Sequence, residues 1–279
     1  MSRLPEADLA SLPTEFAEPL EVIRKSNGYV PHSYMVLAHR PAILKAFMDL
    51  AKAVIRDEGT IDRGFRFLIA YISSRTVGCN YCQAHNMHSA DRWGVPRSKL
   101  EAIWDYETSG EFSPAERAAL RFAQCASTVP NAVDEALIEE LKTHYSIPQI
   151  VELGAVVSLF GWNHRFNDSF ATSLDDTSLS WAFDFGLDKK TGWNPAEHLP
   201  EHWKHGRPAA KPAATNPVTA TQAATTKVPS ITFSPANASA PRSSCGAIVR
   251  PGIALSGVRV GPKATIHPTS NIQSTMGSE

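Results

Sequence analysis

Two cysteines three residues apart, followed by two histidines, carry the densest reactive chemistry in the chain: Val77-Gly78-Cys79-Asn80-Tyr81-Cys82-Gln83-Ala84-His85-Asn86-Met87-His88. Gly78 breaks a preceding helix, and the stretch CQAHNMHSADRW suits a new one. Cys79 is therefore expected near a helix N-terminus, where unpaired N–H groups and the helix dipole favour a thiolate. Cysteines three apart on one helix face can close a small disulfide, an arrangement suited to redox turnover rather than stapling. Zinc is the rival reading, with Cys79, Cys82, His85 and His88 as ligands. Along a continuous helix these four span about 13.5 Å of rise and turn by about 60° per step, whereas zinc holds its ligands within about 2.0–2.3 Å. A three-ligand site from Cys79, Cys82 and His85 needs an outside ligand or a distorted first turn. Coincidental core residues are the third reading. The redox pair leads, and no metal or cofactor is expected.

The elements that must position these residues read as helix after helix. Pro41–Arg56 opens on proline and places Ile43, Leu44, Phe47, Leu50, Ala51, Val54 and Ile55 at the spacing of one buried face. Phe65–Ser74 is apolar nearly all round, which predicts a buried helix, although periodicity alone leaves a short buried strand open. Ser113–Ser127 starts Ser, Pro, then Glu three after the Ser, a capping-box start. Asp134–Tyr145 and Pro148–Phe170 continue the pattern, and no stretch alternates with period two. The expected fold is all-α. Cys125 falls inside the 113–127 helix among Ala, Leu and Phe, which predicts a core position.

Composition bounds the rest. The chain has 279 residues, 43% hydrophobic and 20% charged, with a formal net charge of −1, enough apolar material for a sizeable core and too little charge for binding by bulk electrostatics. No nucleic-acid or membrane partner is expected. No apolar run approaches the roughly 20 residues that span a bilayer, and the N-terminus MSRLPEADLASLPTEF has no apolar signal region, so a soluble, cytoplasmic protein is expected. The average hides an asymmetry. Residues 206–279 hold nine of the 20 prolines, one aromatic (Phe233), seven basic residues and one acidic residue, a charge of +6, while residues 1–205 carry −7. The expected organisation is an all-α domain over 1–205 and a disordered Pro/Ala/Thr/Ser-rich basic tail over 206–279.

The segment Gly78-Cys79-Asn80-Tyr81-Cys82-Gln83-Ala84-His85 resembles the Cys-x-Tyr-Cys…His motif of the carboxymuconolactone decarboxylase / alkylhydroperoxidase D superfamily. The lead-in Asn27–Pro41, the Phe112–Glu116 turn and the stretches Ile150–Glu152 and Asn163–Asn167 resemble the same proteins, giving coverage of about residues 20–176. The resemblance implies an alkylhydroperoxidase D-like helical domain with a weak internal helix-pair repeat, assembled as a homotrimer or hexamer. It implies Cys82 as peroxidatic nucleophile, Cys79 as the resolving and more exposed thiol, and His85 in a proton relay. A hydroperoxide would be the substrate and an external dithiol, protein or lipoyl, the reductant.

Peroxidase-active relatives place a glutamate about three turns before the first cysteine; here that position is Phe67, and the histidine comes three rather than four residues after Cys82. Glu152, which aligns opposite Phe67 between the two halves, is the candidate substitute, with His164 aligning near Cys79. As a helix-start residue, Glu152 also suits plain dipole stabilisation. His88 reads as a satisfied or surface histidine, Tyr81 as packing, Asn163, Arg165 and Asn167 as structural, and Asp175-Asp176 as a solvated helix exit. The leading function is a thiol-dependent hydroperoxide reductase cycling Cys79 and Cys82. The alternatives are a cofactor-free acid/base enzyme resembling the lactone decarboxylases, with His85, His88, His164 and Glu152 in a pocket, and a catalytically silent helical oligomer whose tail recruits a partner.

Overall fold

A computed structural model describes residues 2–207; the basic tail expected to be disordered lies, from 208 onward, outside the described residues. All regular structure among the described residues is helical. In chain order the α-helices are α1 (Ala17–Asn27), α2 (His32–Leu37), α3 (Pro41–Ala51), α4 (Arg63–Val77), α5 (Asn80–Arg92), α6 (Arg97–Ala102), α7 (Pro114–Ala126), α8 (Glu135–His144), α9 (Ile147–Phe170), α10 (Asp176–Phe185) and α11 (Leu187–Thr191). None is long and apolar enough to cross a membrane.

The caps explain most boundaries. Ser113 accepts from the Glu116 amide while Glu116 reaches back to the Ser113 amide, closing the capping box that the sequence predicts for α7. Ser146 and Gln149 do the same for α9. Asp134 accepts from the Leu137 amide at the start of α8. Gly78 ends α4 at φ 85°, a left-handed conformation that favours glycine, and lets the chain turn at once into α5. The segment 41–56 differs from the single helix expected. α3 stops at Ala51 and continues as a wider π-type turn over Lys52–Arg56, closed by the Asp57 amide donating to the Lys52 carbonyl. The extra residue in that turn rotates the chain about the helix axis, and so resets the side on which Arg56 emerges.

α4 is the hub, with α5, α7 and α9 packed around it. Its residues Leu68, Ile69, Ala70, Tyr71 and Ile72 are fully buried, and the segment is helical throughout, so the buried-strand alternative does not hold. A small polar cluster crosses this core. Ser74 Oγ donates to the Ala70 carbonyl and lies 2.9 Å from His164 Nε2 and 3.0 Å from Asn86 Nδ2, tying α4 to α9 and α5. His88 lies 3.1 Å from Ser178 Oγ and stacks on Trp181. Burial pulls His88 down to about 3 and His164 to about 4.

These two histidines make stability acid-sensitive. In the unfolded chain they take up protons near pH 6.5, but the folded state holds them neutral far below that. The unfolded state therefore binds more protons, and stability falls as pH drops from about 6.5 toward 4. His32, raised by Asp175 and Glu6 against its own burial, acts in the opposite sense but is one group against two. Urea midpoints at pH 7, 6 and 5 should fall with pH, by up to about 1.4 kcal/mol per unit for each buried histidine. His164→Gln, which cannot titrate, should flatten the dependence.

Candidate active site

The loop at Gly78 delivers Cys79 as the N-cap of α5, its Sγ accepting from the Cys82 amide at 3.4 Å. Cys82 sits one turn further on. Both are buried, Cys79 at 0% and Cys82 at 2% exposure, so the resemblance-based expectation of a more exposed Cys79 does not hold. The difference between them is direction. Cys82 lines a cavity of about 140 Å³, and Cys79 stands behind it in the protein wall. Nor does the helix start make Cys79 an easy thiolate. Burial, with Cys82 alongside, pushes its thiol well above the ordinary range.

His85 comes one turn after Cys82 on α5 and lines the same cavity. Its Nδ1 is 2.9 Å from the Tyr81 carbonyl, which fixes a proton on that nitrogen, and its ring stacks on Tyr81 at 4.2 Å. Its Nε2 lies 2.8 Å from Asp175 Oδ2. Asp175 is the residue that sequence reasoning missed. It is 4% exposed, not a solvated exit, and although it is the N-cap of α10 its carboxylate makes no capping hydrogen bond. Instead it accepts from the His32 amide at 3.2 Å, lies 3.5 Å from His32 Nε2, and receives the Tyr81 hydroxyl at 3.4 Å. His32 Nδ1 meets Glu6 at the surface. A buried carboxylate thus joins the cavity histidine to a second, half-exposed histidine. The only sequence signal was an Asp ahead of a helix, which reads equally well as an ordinary cap.

Glu152 is placed elsewhere, and its candidacy as a site residue is corrected. Its carboxylate is 3.0 Å from Arg66 Nε, and it accepts from the Thr60 amide and hydroxyl at 2.9 and 2.8 Å. Arg66, 2% exposed, also donates to the Ile61, Val54 and Asp57 carbonyls. The pair clamps the 57–61 connection onto α4 and α9; a Cβ at Gly59 would collide with both partners. Glu152→Ala strands a buried guanidinium, so it should cost about 3 kcal/mol in denaturant unfolding while leaving Cys82 alkylation rates unchanged.

The remaining positions sort cleanly. Phe67 does line the cavity, as do Asn163 and Asn167. Asn167 Nδ2 lies 4.0 Å from Cys82 Sγ, within reach of a sulfur acceptor, and donates to the Asn163 carbonyl at 3.0 Å. His88 and His164 are outside the cavity on their own partners. The four residues weighed as zinc ligands do not converge, because His85 turns to Asp175 and His88 to Ser178. No group of three or more His, Cys, Asp or Glu among the described residues is placed to hold a metal ion.

Chemically, the arrangement offers a sulfur at a small cavity, an imidazole beside it that can exchange a proton with a buried carboxylate, and a second sulfur one turn away. Residues 41–124, which span α3 through most of α7 and include Cys79, Cys82 and His85, match the Carboxymuconolactone decarboxylase family. The uncharacterized protein YnjA of Escherichia coli (strain K12) is 33% identical over 115 residues, 41% of this chain; the matched stretch spans 63% of that relative's length. Among solved structures, the debrominase Bmp8 in complex with 2,3,4-tribromopyrrole is similar with a TM-score of 0.61 and 26% identity, covering 66% of this chain and 100% of that one. The alkylhydroperoxidase AhpD core of an uncharacterized peroxidase-related protein from Ralstonia eutropha JMP134 shares the fold, with a TM-score of 0.58 at 24% identity over 63% of this chain and 94% of that one. The helical body built around the Cys79–Cys82 turn thus has an alkylhydroperoxidase D-like fold, and residues 41–124 of it are similar to the Carboxymuconolactone decarboxylase family.

Proposed function

We propose that the protein is a thiol-dependent reductase in which Cys82 attacks a small electrophile in the cavity and Cys79 resolves the product. The observation that carries this reading is the placement of Cys82 on the cavity wall with His85 beside it and Cys79 directly behind. With a hydroperoxide, the Cys82 thiolate attacks the O–O bond, giving a Cys82 sulfenic acid and an alcohol whose oxygen takes a proton from the His85–Asp175 pair. The Cys79 thiol then condenses with the sulfenic acid, releasing water and closing the disulfide. An external dithiol restores both thiols by exchange, which fits a reducing, cytoplasmic setting. Asp175 supplies the acid that Phe67 does not. Self-association, expected of the superfamily, is favoured by the exposed apolar residues Ile43 and Leu50 on α3 and Trp162 on α9.

A second electrophile is favoured by the debrominase neighbour and by a cavity lined with aromatic rings. With an aryl bromide, the thiolate takes bromine as a sulfenyl bromide while the ring carbon gains a proton; Cys79 then expels bromide and a proton to form the same disulfide. The deciding experiment reacts reduced protein with one equivalent of tert-butyl hydroperoxide or of 2,3,4-tribromopyrrole and maps disulfides by peptide mass spectrometry. Formation of the 79–82 bond far faster than oxidation of free cysteine supports the reading and names the better electrophile. Survival of both thiols with both reagents overturns it and moves the acid/base alternative forward.

A further inference from the structure

We infer that the Cys82 cavity binds a small, mostly apolar molecule carrying one carboxylate, and that Arg56 and Arg63 are the residues that select it. The inference deepens the thiol reading by naming the class of molecule on which Cys82 would act, but the binding itself requires no thiol chemistry.

The cavity has a one-sided charge. Arg56 and Arg63 line it, and no aspartate or glutamate does among the described residues. Asp175 approaches only behind His85, where His85 and His32 occupy its oxygens. Other arginines of this protein show what a neutralised guanidinium looks like: Arg121 holds Glu107 and Glu140, Arg207 holds Asp184, and Arg66 holds Glu152. Among the described residues, Arg56 and Arg63 have no such partner. Arg56 donates to the Tyr34 hydroxyl at 2.6 Å and leans over that ring. Arg63 donates to the Arg56 carbonyl and stacks on Trp93, its guanidinium carbon 4.2 Å from the ring centre. A guanidinium has five N–H donors, so each side chain is oriented by one or two contacts and keeps donors in reserve.

Burial and the neighbouring charges of Arg66 and Arg56 pull Arg63 down, so the site is crowded with like charge that a bound anion would relieve. Asp57 and Glu58 offset part of this from outside the cavity, and Lys52 holds the Asp57 carboxylate at 2.8 Å.

The remaining wall sets the body of the ligand. Tyr34, Phe47, Phe67, Phe160 and Trp93 present aromatic surface. About 140 Å³ is close to the roughly 150 Å³ of an engineered cavity that takes one benzene ring. One ring or a short branched chain fits. Guanidinium groups bind a carboxylate through paired, charge-assisted hydrogen bonds, whereas a neutral ligand would leave the free donors of both half-buried guanidiniums without an anionic partner. The π-type turn is the structural reason Arg56 is present, since an uninterrupted helix over 41–56 would carry it to another side.

The test measures binding of sodium benzoate and of benzamide, alike in size and different in charge, to the full chain by calorimetry. The titration is repeated on Cys82→Ala protein, so that loss of thiol chemistry cannot mask or mimic the result. Benzoate should bind at least tenfold more tightly than benzamide, with the difference shrinking as salt rises. Arg56→Met and Arg63→Met should each lower benzoate affinity roughly tenfold and leave benzamide unaffected, while Arg56→Lys and Arg63→Lys, which keep the charge, should lose less. Equal affinity for both probes, no binding of either, or selectivity that survives both methionine substitutions overturns the inference. A carboxylate from a second copy of the chain seated on these arginines would show itself as no benzoate binding, an overturning result. If benzoate binds selectively while no 79–82 disulfide ever forms, the thiol reading fails and this one stands.

Discussion

Cys82→Ser should abolish peroxide-driven turnover, whereas Cys79→Ser should still consume one equivalent of peroxide and then stop. The asymmetry arises from where each sulfur points. Only Cys82 reaches the cavity in which a substrate can sit, while Cys79 is fully buried and burial holds its thiol protonated. With Cys82 gone, the remaining sulfur is neither accessible nor ionised, so residual turnover should fall below about 1% of wild type, the loss expected when a nucleophile is removed. With Cys79 gone, the first step is intact but nothing condenses with the sulfenic acid. That acid should persist and be captured by dimedone as a single adduct on the Cys82 peptide. The reverse pattern, with Cys79→Ser inert and Cys82→Ser active, would require the chain to open at Gly78 and would sink the assignment of roles.

Asp175→Asn should slow formation of the 79–82 disulfide by about 100-fold at neutral pH, within the usual range for loss of acid–base assistance. The His85 Nδ1 proton is committed to the Tyr81 carbonyl, so proton exchange toward the cavity depends on Nε2 and on the carboxylate 2.8 Å from it. An asparagine preserves size and can still accept from the His32 amide, but it cannot take up the proton. His85→Ala should give a loss of similar size, and the double variant should be little worse than either single one, as expected of groups acting together. A merely structural Asp175 would lower the unfolding midpoint while leaving the rate and its pH profile intact. Rapid-quench measurement of disulfide formation between pH 5 and 9, run beside urea unfolding, separates the two. His32 and Glu6 continue the contact toward solvent, so His32→Phe should shift that pH profile by less than Asp175→Asn does.

The helices were legible because their signals are local. The Ser-Pro-x-Glu start of α7, the proline opening α3, and the Gly78 break before α5 act on residues within a turn or two, and each appears where the spacing predicts. The interruption at Lys52–Arg56 was not legible, since the apolar spacing continues through it. Cys79, Cys82 and His85 were legible for the same reason as the caps: their grouping arises from separations of three along one helix. Which sulfur faces the cavity was not.

Glu152 and Asp175 show where locality ends. Each is an acid at or near the start of a helix; sequence reasoning named Glu152, whereas Asp175 is the one that lies beside the cavity histidine. Glu152 is committed to Arg66 across the 57–61 connection, and Asp175 is brought to His85 from ninety residues away. Nothing in the flanking residues distinguishes them, because an acid before a helix is stabilised by the dipole in either case.

The sequence by itself thus determined an all-helical body, the superfamily likeness and a cysteine pair at a helix start, all properties of residues close together in the chain. The tertiary structure alone decided that Cys82 and not Cys79 meets the cavity, that Asp175 backs His85, and that two arginines face a space lined by no carboxylate among the described residues. Those facts depend on how α4, α5, α9 and α10 pack, and burial and long-range pairing, rather than residue type, set whether a carboxylate serves as a structural clamp or a proton acceptor.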